Sequence, residues 1–132
     1  MILLDTNAFL WYLSDKTKFS DSTLVAIQKE RHQSKPLLVS AISIWEVGLL
    51  IQKKRIQLHV DYDTWFNQIR KLKSIQYVPI TIEISHESIM LPGIFHSDPA
   101  DRIIVATSRF LGATLITSDH LIRKYKHVKT LW

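Results

Sequence analysis

The chain has 132 residues, of which 46% are hydrophobic and 22% are charged, a composition typical of a single folded domain with its own core. It contains no cysteine, which excludes disulfide frameworks, zinc–cysteine sites and thiol nucleophiles. Its net charge of +5 suits a polyanionic partner, although many small proteins are basic for no specific reason. No apolar run approaches the length of a membrane span and no basic leader is present, so we expect a cytoplasmic protein without membrane contact.

Short apolar runs alternate with amphipathic stretches along the chain. In the first half they predict a strand at 2–5, helices at 8–13 and 24–31, a strand at 37–39 and a helix that is capped by Ser40 and runs toward 52. A helix that begins at Asp61 or Asp63 and passes through Leu72 follows, and then a strand at 76–78 and helices at 85–91 and 100–111. The chain ends with a strand at 114–117, a short helix and an edge strand at 128–131. Strands separated by helices indicate one α/β domain over residues 1–132, with a mainly parallel sheet between helices.

Two of the predicted strands lead into a carboxylate. Asp5 ends the first strand, and Asp119 follows the strand at 114–117. The carboxyl edge of an open α/β sheet is where such folds bind ligands. Two more acids, Glu46 and Asp101, lie in helix-like stretches whose neighbours are mostly apolar. Because a buried carboxylate is costly without a positive partner, four of them in one cleft would form a divalent-metal site.

The donor type indicates which metal such a site would hold. Mg²⁺ and Mn²⁺ are hard cations that take carboxylate, water and phosphate oxygens as ligands. A bound divalent cation activates water and neutralises charge that develops on a phosphate, which makes hydrolysis by a metal-activated water the expected reaction. The acids are spread over almost the whole chain, so their spacing alone leaves their convergence open.

Each of these residues also has a plainer interpretation. Asp5 and Asp119 stand where helix N-caps are common, and the segment 98–101 is an ordinary helix start with proline and acids in its first turn. Glu46 could be a solvated helix acid. His96 fits a polar position at the rim of the site better than a metal ligand or a general base.

Aromatic and basic residues outside the acidic motifs are more ambiguous. Trp11 and Trp45 are interpreted as core residues, whereas Trp65 and Phe66 are adjacent, so one of them is a candidate for a partner contact. Two basic clusters are interpreted as solvated faces that could also contact phosphates. They are Lys53-Lys54-Arg55 and the group Arg123, Lys124, Lys126 and Lys129.

Four segments that carry the acids occur in the order and spacing of a PIN domain. They are ILLDTNAFLW at 2–11, SIWEV at 43–47, HSDPADRIIVA at 96–106 and TSD at 117–119. More narrowly, the chain resembles the VapC-type ribonuclease toxins of bacterial toxin–antitoxin pairs, and the resemblance covers essentially its whole length. It implies a three-layer α/β/α sandwich with a mainly parallel central sheet, cleavage of RNA that depends on Mg²⁺ or Mn²⁺, a cognate antitoxin that blocks the site, and a homodimer.

The resemblance assigns the catalytic site to four carboxylates. Residue by residue, these are Asp5, Glu46, Asp101 and Asp119. We expect Asp5 and Asp101 to bind the principal metal ion directly. Glu46 and Asp119 would act through metal-bound water or a second ion.

Further positions match residues that support the acids in the family. Thr6 and Thr117 match hydroxyl positions that orient the carboxylates. Asp98 matches an additional acid, which would hold a water or Arg102 rather than the metal. The chain departs from the family pattern at Asn7, where His is common, and at 107–108, where Thr-Ser replaces Gln-Ala. Neither departure removes a metal ligand, so we expect them to affect which RNA is cut rather than whether the protein is active.

Other functional classes remain to be weighed against a nuclease. A non-cleaving module of the same fold that binds RNA or a partner is the alternative, and the presence of all four acids argues against it. A phosphotransfer domain with an acceptor aspartate would need paired acids at the first strand, which ends in the single acid Asp5.

Overall fold

The computed structural model describes all 132 residues as five strands and seven α-helices. In chain order these are β1 Ile2–Leu4, α1 Thr6–Ser14, α2 Asp21–His32, β2 Leu37–Ser40, α3 Ala41–Gln52, α4 Tyr62–Ile69, β3 Ile75–Val78, α5 Ile82–Ile89, α6 Pro99–Leu111, β4 Thr114–Ile116, α7 His120–Lys124 and β5 Thr130–Leu131. A short 3-10 helix at Lys16–Lys18, which the sequence did not predict, follows α1. Every predicted element is present, with ends that differ by a few residues.

The five strands form one sheet in the order β3-β2-β1-β4-β5, and all four strand pairs are parallel. Helices cover both faces, so β1 and β2 are buried along their whole length rather than at alternate residues. The chain moves outward from β1 to β3 and then returns to the other side of β1 as β4. This reversal leaves a crevice beyond the carboxyl ends of β1 and β4, which is where open α/β sheets bind ligands.

Two hydrophobic clusters lie on opposite faces of the sheet. Leu3 of β1 packs in one cluster with side chains of α5, α6 and α7, whereas its neighbours Ile2 and Leu4 pack in the other with α1, α2 and α4. Successive residues of a strand point to opposite faces, so one short strand serves both. Helix α3 contributes Ile42 to the first cluster and Val47 to the second. The predicted three-layer α/β/α sandwich is therefore confirmed.

The ends of α6 matter because this helix carries Asp101. It begins with Pro99 after the N-cap residue Asp98, and it stops at Gly112, whose φ of 63° is in the left-handed region that favours glycine. The sequence predicted both ends. None of the helices combines the length and the apolarity that a membrane crossing requires.

The tryptophans divide differently from the expectation. Trp45 is 52% exposed, so its interpretation as a core residue is wrong. Trp45 belongs to neither hydrophobic cluster. Trp65 is buried, whereas its neighbour Phe66 is only partly buried. Trp11 packs against Trp132, and their ring centroids are 5.3 Å apart.

Helix α2 offers a matched test of the packing on one face. Ile27 is 6% exposed and Val25 is 65% exposed, although they lie two residues apart. We expect Ile27→Ala to lower the free energy of unfolding by about 2–4 kcal/mol through lost burial and a cavity, and Val25→Ala to change it by less than about 0.5 kcal/mol. Urea unfolding followed by circular dichroism measures both. Equal losses in the two variants would contradict the packing described here.

Candidate metal centre

Asp5 leaves the carboxyl end of β1 and caps α1. Its Oδ1 accepts the backbone N–H of Ala8 at 2.7 Å, and the residue is only 6% exposed. Burial raises the pKa of the Asp5 carboxyl to about 6, and the negative charges of Glu46 and Asp119 add to that rise. The Thr117 hydroxyl and the Ala8 N–H act in the opposite direction by stabilising the anion.

Asp119 reaches the same edge from the neighbouring strand. It follows β4, which pairs directly with β1, and its Oδ1 accepts the N–H of Ile122 at 2.9 Å as the N-cap of α7. Its own backbone N–H donates to the hydroxyl of the buried Thr117 at 3.0 Å. Thr117 therefore contacts both the Asp5 and the Asp119 segments, which fits a role in orienting them.

Glu46 faces the site from the middle of α3. It is partly buried, and burial raises the pKa of its carboxyl, with a further contribution from the charge of Asp98. The Thr6 hydroxyl, close to Glu46, donates to Ser43 Oγ at 2.9 Å in a buried contact. Ser43 precedes Glu46 by three residues, so both lie on one side of α3. The Thr6–Ser43 contact fixes α3 against the start of α1.

Asp98 and Asp101 come from the first turn of α6. The Oδ1 atom of Asp98 accepts the N–H of Asp101 at 2.9 Å. The pKa of the Asp101 carboxyl is raised to about 7, and burial is the largest cause. The negative charge of Asp98 is the second cause, and the charges of Glu46, Asp119 and Asp5 contribute less. The other four carboxylates are therefore all close enough to Asp101 to raise its pKa.

His96, which the sequence analysis placed at the rim of the site, contacts an acid of this cluster directly. Its Nε2 lies 3.2 Å from Asp101 Oδ2, and its Nδ1 accepts the N–H of Asp98 at 3.3 Å. An acceptor at Nδ1 places the ring proton on Nε2 in the neutral tautomer. The Nε2–Asp101 contact is not aligned as a hydrogen bond, so Nε2 is left without a hydrogen-bond partner.

Arg102 does not pair with Asp98 or with any other acid. Its guanidinium donates instead to backbone carbonyls of Ser88 at 2.9 Å and Ile89 at 3.4 Å, at the end of α5, and of Phe95 and His96 at 3.1 and 3.2 Å. These bonds tie the loop before α6 to α5. Arg102 thus fixes the backbone around the site and leaves the carboxylates unneutralised.

The geometry brings three acids closest together. Glu46, Asp98 and Asp101 each offer a carboxylate oxygen within 4.8 Å of the others. Asp5 and Asp119 lie outside this closest group but near enough for their charges to raise the pKa of Asp101. A set of carboxylates with no sulfur donor suits a hard divalent cation such as Mg²⁺ or Mn²⁺.

Sequence reasoning missed part of this arrangement. The place of Asp98 in the closest group and the contacts of Ser43 and His96 were not foreseen. The signal for Ser43 was available, since a hydroxyl three residues before Glu46 on a helix shares its face. His96 carried a weaker signal, because its position before the N-cap Asp98 depends on the path of a loop.

Residues 2–128 match the family model described as the PIN domain. The match spans nearly the whole chain and includes every acid of the site. The chain therefore belongs to the PIN-domain family.

A relative and two solved structures narrow this assignment. The chain is 32% identical to Ribonuclease VapC22 of Mycobacterium tuberculosis over 99% of this chain and 98% of that protein, which puts it in the VapC group. The fold is similar to that of VapBC2 from Rickettsia felis bound to a promoter DNA fragment, with a TM-score of 0.70 and 15% identity over 99% of this chain and 98% of that one. It is also similar to a toxin–antitoxin complex from Klebsiella pneumoniae, with a TM-score of 0.61 and 21% identity over 97% and 95% of the two chains.

The raised pKa values make a prediction about stability without metal. Asp5 and Asp101 have an ordinary pKa of 3.8, which rises to about 6 and about 7 in the folded protein. A folded state that holds protons more tightly than the unfolded state is favoured at low pH, so stability should fall as the pH rises from about 4 to 7. We expect Asp101→Asn to flatten this dependence and to raise the free energy of unfolding at pH 8 by about 1–2 kcal/mol in EDTA.

The measurement is urea unfolding in EDTA at a series of pH values. Asp21→Asn is the matched control, because Asp21 lies exposed on α2 away from the site. Adding Mg²⁺ at pH 8 should stabilise the wild type and leave Asp101→Asn nearly unchanged. Parallel pH curves for the wild type and Asp101→Asn would refute the electrostatic account.

Proposed function

We propose that this chain is the ribonuclease toxin of a toxin–antitoxin pair, and that it hydrolyses RNA phosphodiester bonds internally with Mg²⁺ or Mn²⁺ bound among its acids. The observation that carries the proposal is the group Glu46, Asp98 and Asp101, with carboxylate oxygens within 4.8 Å of one another, in a PIN-domain chain. No lysine or arginine forms a salt bridge with any of the five acids. A cation is the counter-charge that such a cluster lacks.

Asp5 and Asp101 are the proposed direct ligands, with Glu46 and Asp119 acting through water or a second ion. The Asp98 carboxylate is close enough to those of Glu46 and Asp101 to act as a further ligand of the same cation. A divalent cation supplies Lewis acidity toward water and toward the phosphate.

The side chains of this protein provide orientation and proton transfer. The hydroxyls of Thr6 and Thr117 hold the segments that carry the acids, through Ser43 and the backbone of Asp119. One carboxylate accepts the proton of the attacking water.

The first test is cleavage of total cellular RNA by the purified full chain. We expect discrete fragments with Mg²⁺ or Mn²⁺ and none with EDTA. Asp5→Asn and Asp101→Asn should lower the cleavage rate by about a hundredfold or more, because each removes a charged ligand while keeping the shape of the side chain. Asn at position 5 also keeps the cap on α1.

Asp21→Asn controls for the loss of one negative charge and should cut at the wild-type rate. Wild-type rates in Asp5→Asn and Asp101→Asn would refute the assigned site. Intact RNA with either metal, from folded protein free of antitoxin, would instead favour a binding module that does not cut.

We also infer two protein partners, a cognate antitoxin and a second copy of this chain. A groove of about 630 Å³ with a mainly apolar lining is formed by α1, the loop 56–60 and α4, and an amphipathic segment of an antitoxin would suit it. The structures of similar fold include a toxin–antitoxin complex, which supports this partner. For the homodimer, α5 exposes Ile82 and Ile89, seven residues apart on one helix face, together with Met90.

The dimer makes a separate prediction. Ile89 is 73% exposed, so Ile89→Glu leaves the monomer core intact while placing a charge in an apolar interface. We expect the wild type to sediment as a dimer and the variant as a monomer with an unchanged circular dichroism spectrum. Val25→Glu, on an exposed position of α2, is the control and should remain dimeric. A dimeric Ile89→Glu would place the interface elsewhere.

A further inference from the structure

A second groove, of about 440 Å³, opens beside the acids and is called the α7 groove here. It is lined by residues 94–96 of the loop before α6, by Leu121 and by residues 124–127. His96 belongs to both sites, since it lines this groove and its Nε2 lies 3.2 Å from Asp101 Oδ2. A chain lying in the α7 groove would therefore continue directly into the acidic cluster.

The walls of the α7 groove offer apolar and flat surfaces. Ile94 is 98% exposed and Leu121 is 57% exposed, so both side chains are accessible to a ligand in the groove. Four rings follow one another along the groove: Phe95 lies 4.3 Å from His96 and 4.7 Å from Tyr125, and Tyr125 lies 5.3 Å from His127, between centroids. Tyr125 is buried and Phe95 packs against the same core, so these rings support the wall from beneath, and Ile94 and Leu121 supply its accessible apolar surface.

The charge of the α7 groove is opposite to that of the adjoining site. Its lining includes Lys124 and Lys126 and no acid. The groove beside Lys54 and Arg55 at the end of α3 includes Asp61 in its lining, and the groove beside Arg109 and Lys129 includes Glu87. Neither shares a residue with the group Glu46, Asp98 and Asp101. Of these three grooves, the α7 groove combines an acid-free basic lining with a direct contact, through His96, to Asp101.

The loop that forms one wall is held in place from several sides. The Tyr125 hydroxyl donates to the carbonyl of Pro92 at 2.6 Å, and Arg102 donates to the carbonyls of Phe95 and His96. Gly93, with a φ of 68°, lets the backbone approach the ring of His127. A surface fixed in this way loses little conformational entropy when it binds a ligand.

We propose that the α7 groove binds the single-stranded RNA nucleotide next to the phosphodiester that is cut, with its base against Ile94 and Leu121 and its phosphates on Lys124 and Lys126. This inference rests on the proposed ribonuclease function and adds the place where the substrate is held. Stacked bases and lysine contacts to phosphates are the usual means of holding single-stranded RNA. The repulsion between phosphates and the acids gives the lysines a necessary role in binding.

The phosphate contacts are tested by binding in EDTA, where no cleavage occurs. The probe is a short, unstructured, fluorescein-labelled oligoribonucleotide, and fluorescence anisotropy gives Kd at several salt concentrations. We expect the double variant Lys124→Gln/Lys126→Gln to raise Kd about tenfold and to reduce the slope of log K against log salt by about 1.4, since each single-strand phosphate contact contributes about 0.7. The control Lys53→Gln/Lys54→Gln removes the same charge at residues that do not line the groove and should change Kd less than about threefold.

The base contacts are tested with Ile94→Ser and Leu121→Ser, both on exposed positions. Each should weaken binding of the base-bearing oligonucleotide about fivefold and leave binding of an abasic oligonucleotide unchanged. Val25→Ser, exposed on α2, is the control and should bind both probes like the wild type. Thermal melts confirm that every variant is folded.

The outcomes separate this inference from the proposed function. If the two lysine pairs have equal effects and the serine variants bind like the wild type, the α7 groove is not the RNA site, even if the wild type cleaves RNA with metal. If the wild type fails to cleave RNA with either metal, the proposed function fails whatever the groove binds. Groove variants that retain RNA binding but escape inhibition by the antitoxin would assign the groove to that protein and overturn the inference.

Discussion

Burial of carboxylates that also repel one another, at the carboxyl edge of the sheet, is the constraint that the rest of this structure has to balance. Burial and the four neighbouring acids together raise the pKa of Asp101 to about 7. Three helices begin at this edge, with Asp5, Asp98 and Asp119 as their N-caps. The partial positive charge at each helix N-terminus offsets part of the repulsion. The fold thus tolerates the cluster without neutralising it, which leaves its remaining charge available to a cation.

The three N-caps also show that capping and metal binding are compatible. Capping was the plainer interpretation of Asp5 and Asp119, and a helix start that of the segment 98–101; Asp5, Asp98 and Asp119 all cap a helix through Oδ1. A carboxylate has two oxygens and about four lone-pair sites, so one hydrogen bond from a backbone N–H leaves the second oxygen free. The cap fixes the side-chain rotamer and therefore the direction of that oxygen. Helix capping is in this way the means by which the site is oriented.

The sequence predicted most of the fold because its apolar runs and caps act locally. The strand at 2–5 and the helix start at Asp98-Pro99 are decided by neighbours in the sequence, and both were found. The order of the strands is decided by pairing between distant segments, which no local pattern encodes. Trp45 was assigned to the core on its type alone, yet the rotation of α3 exposes it. Which side of α3 faces inward depends on both clusters that the helix joins.

The same limit explains why the surroundings of the acids were less predictable than the acids themselves. Asp5 and Asp119 could be placed from strand ends, because parallel strands bring those ends together. The contact between His96 and Asp101 depends on the path of the loop before α6. That path is set by Arg102, whose bonds run to carbonyls that no motif identifies. Predicting it would require the positions of α5 and α6 relative to each other.

The choice of partners for Arg102 has a consequence for the chemistry. An arginine beside Asp98 would ordinarily form an ion pair, which would lower the negative charge of the cluster and occupy an oxygen that a cation needs. By directing its donors to four carbonyls, the guanidinium satisfies its hydrogen bonds without a carboxylate. The hydrogen bonds of the guanidinium fix the loop, while the carboxylates of Glu46, Asp98 and Asp101 remain free of an arginine partner. The arrangement provides a rigid frame around the acids and keeps every one of them available as a ligand.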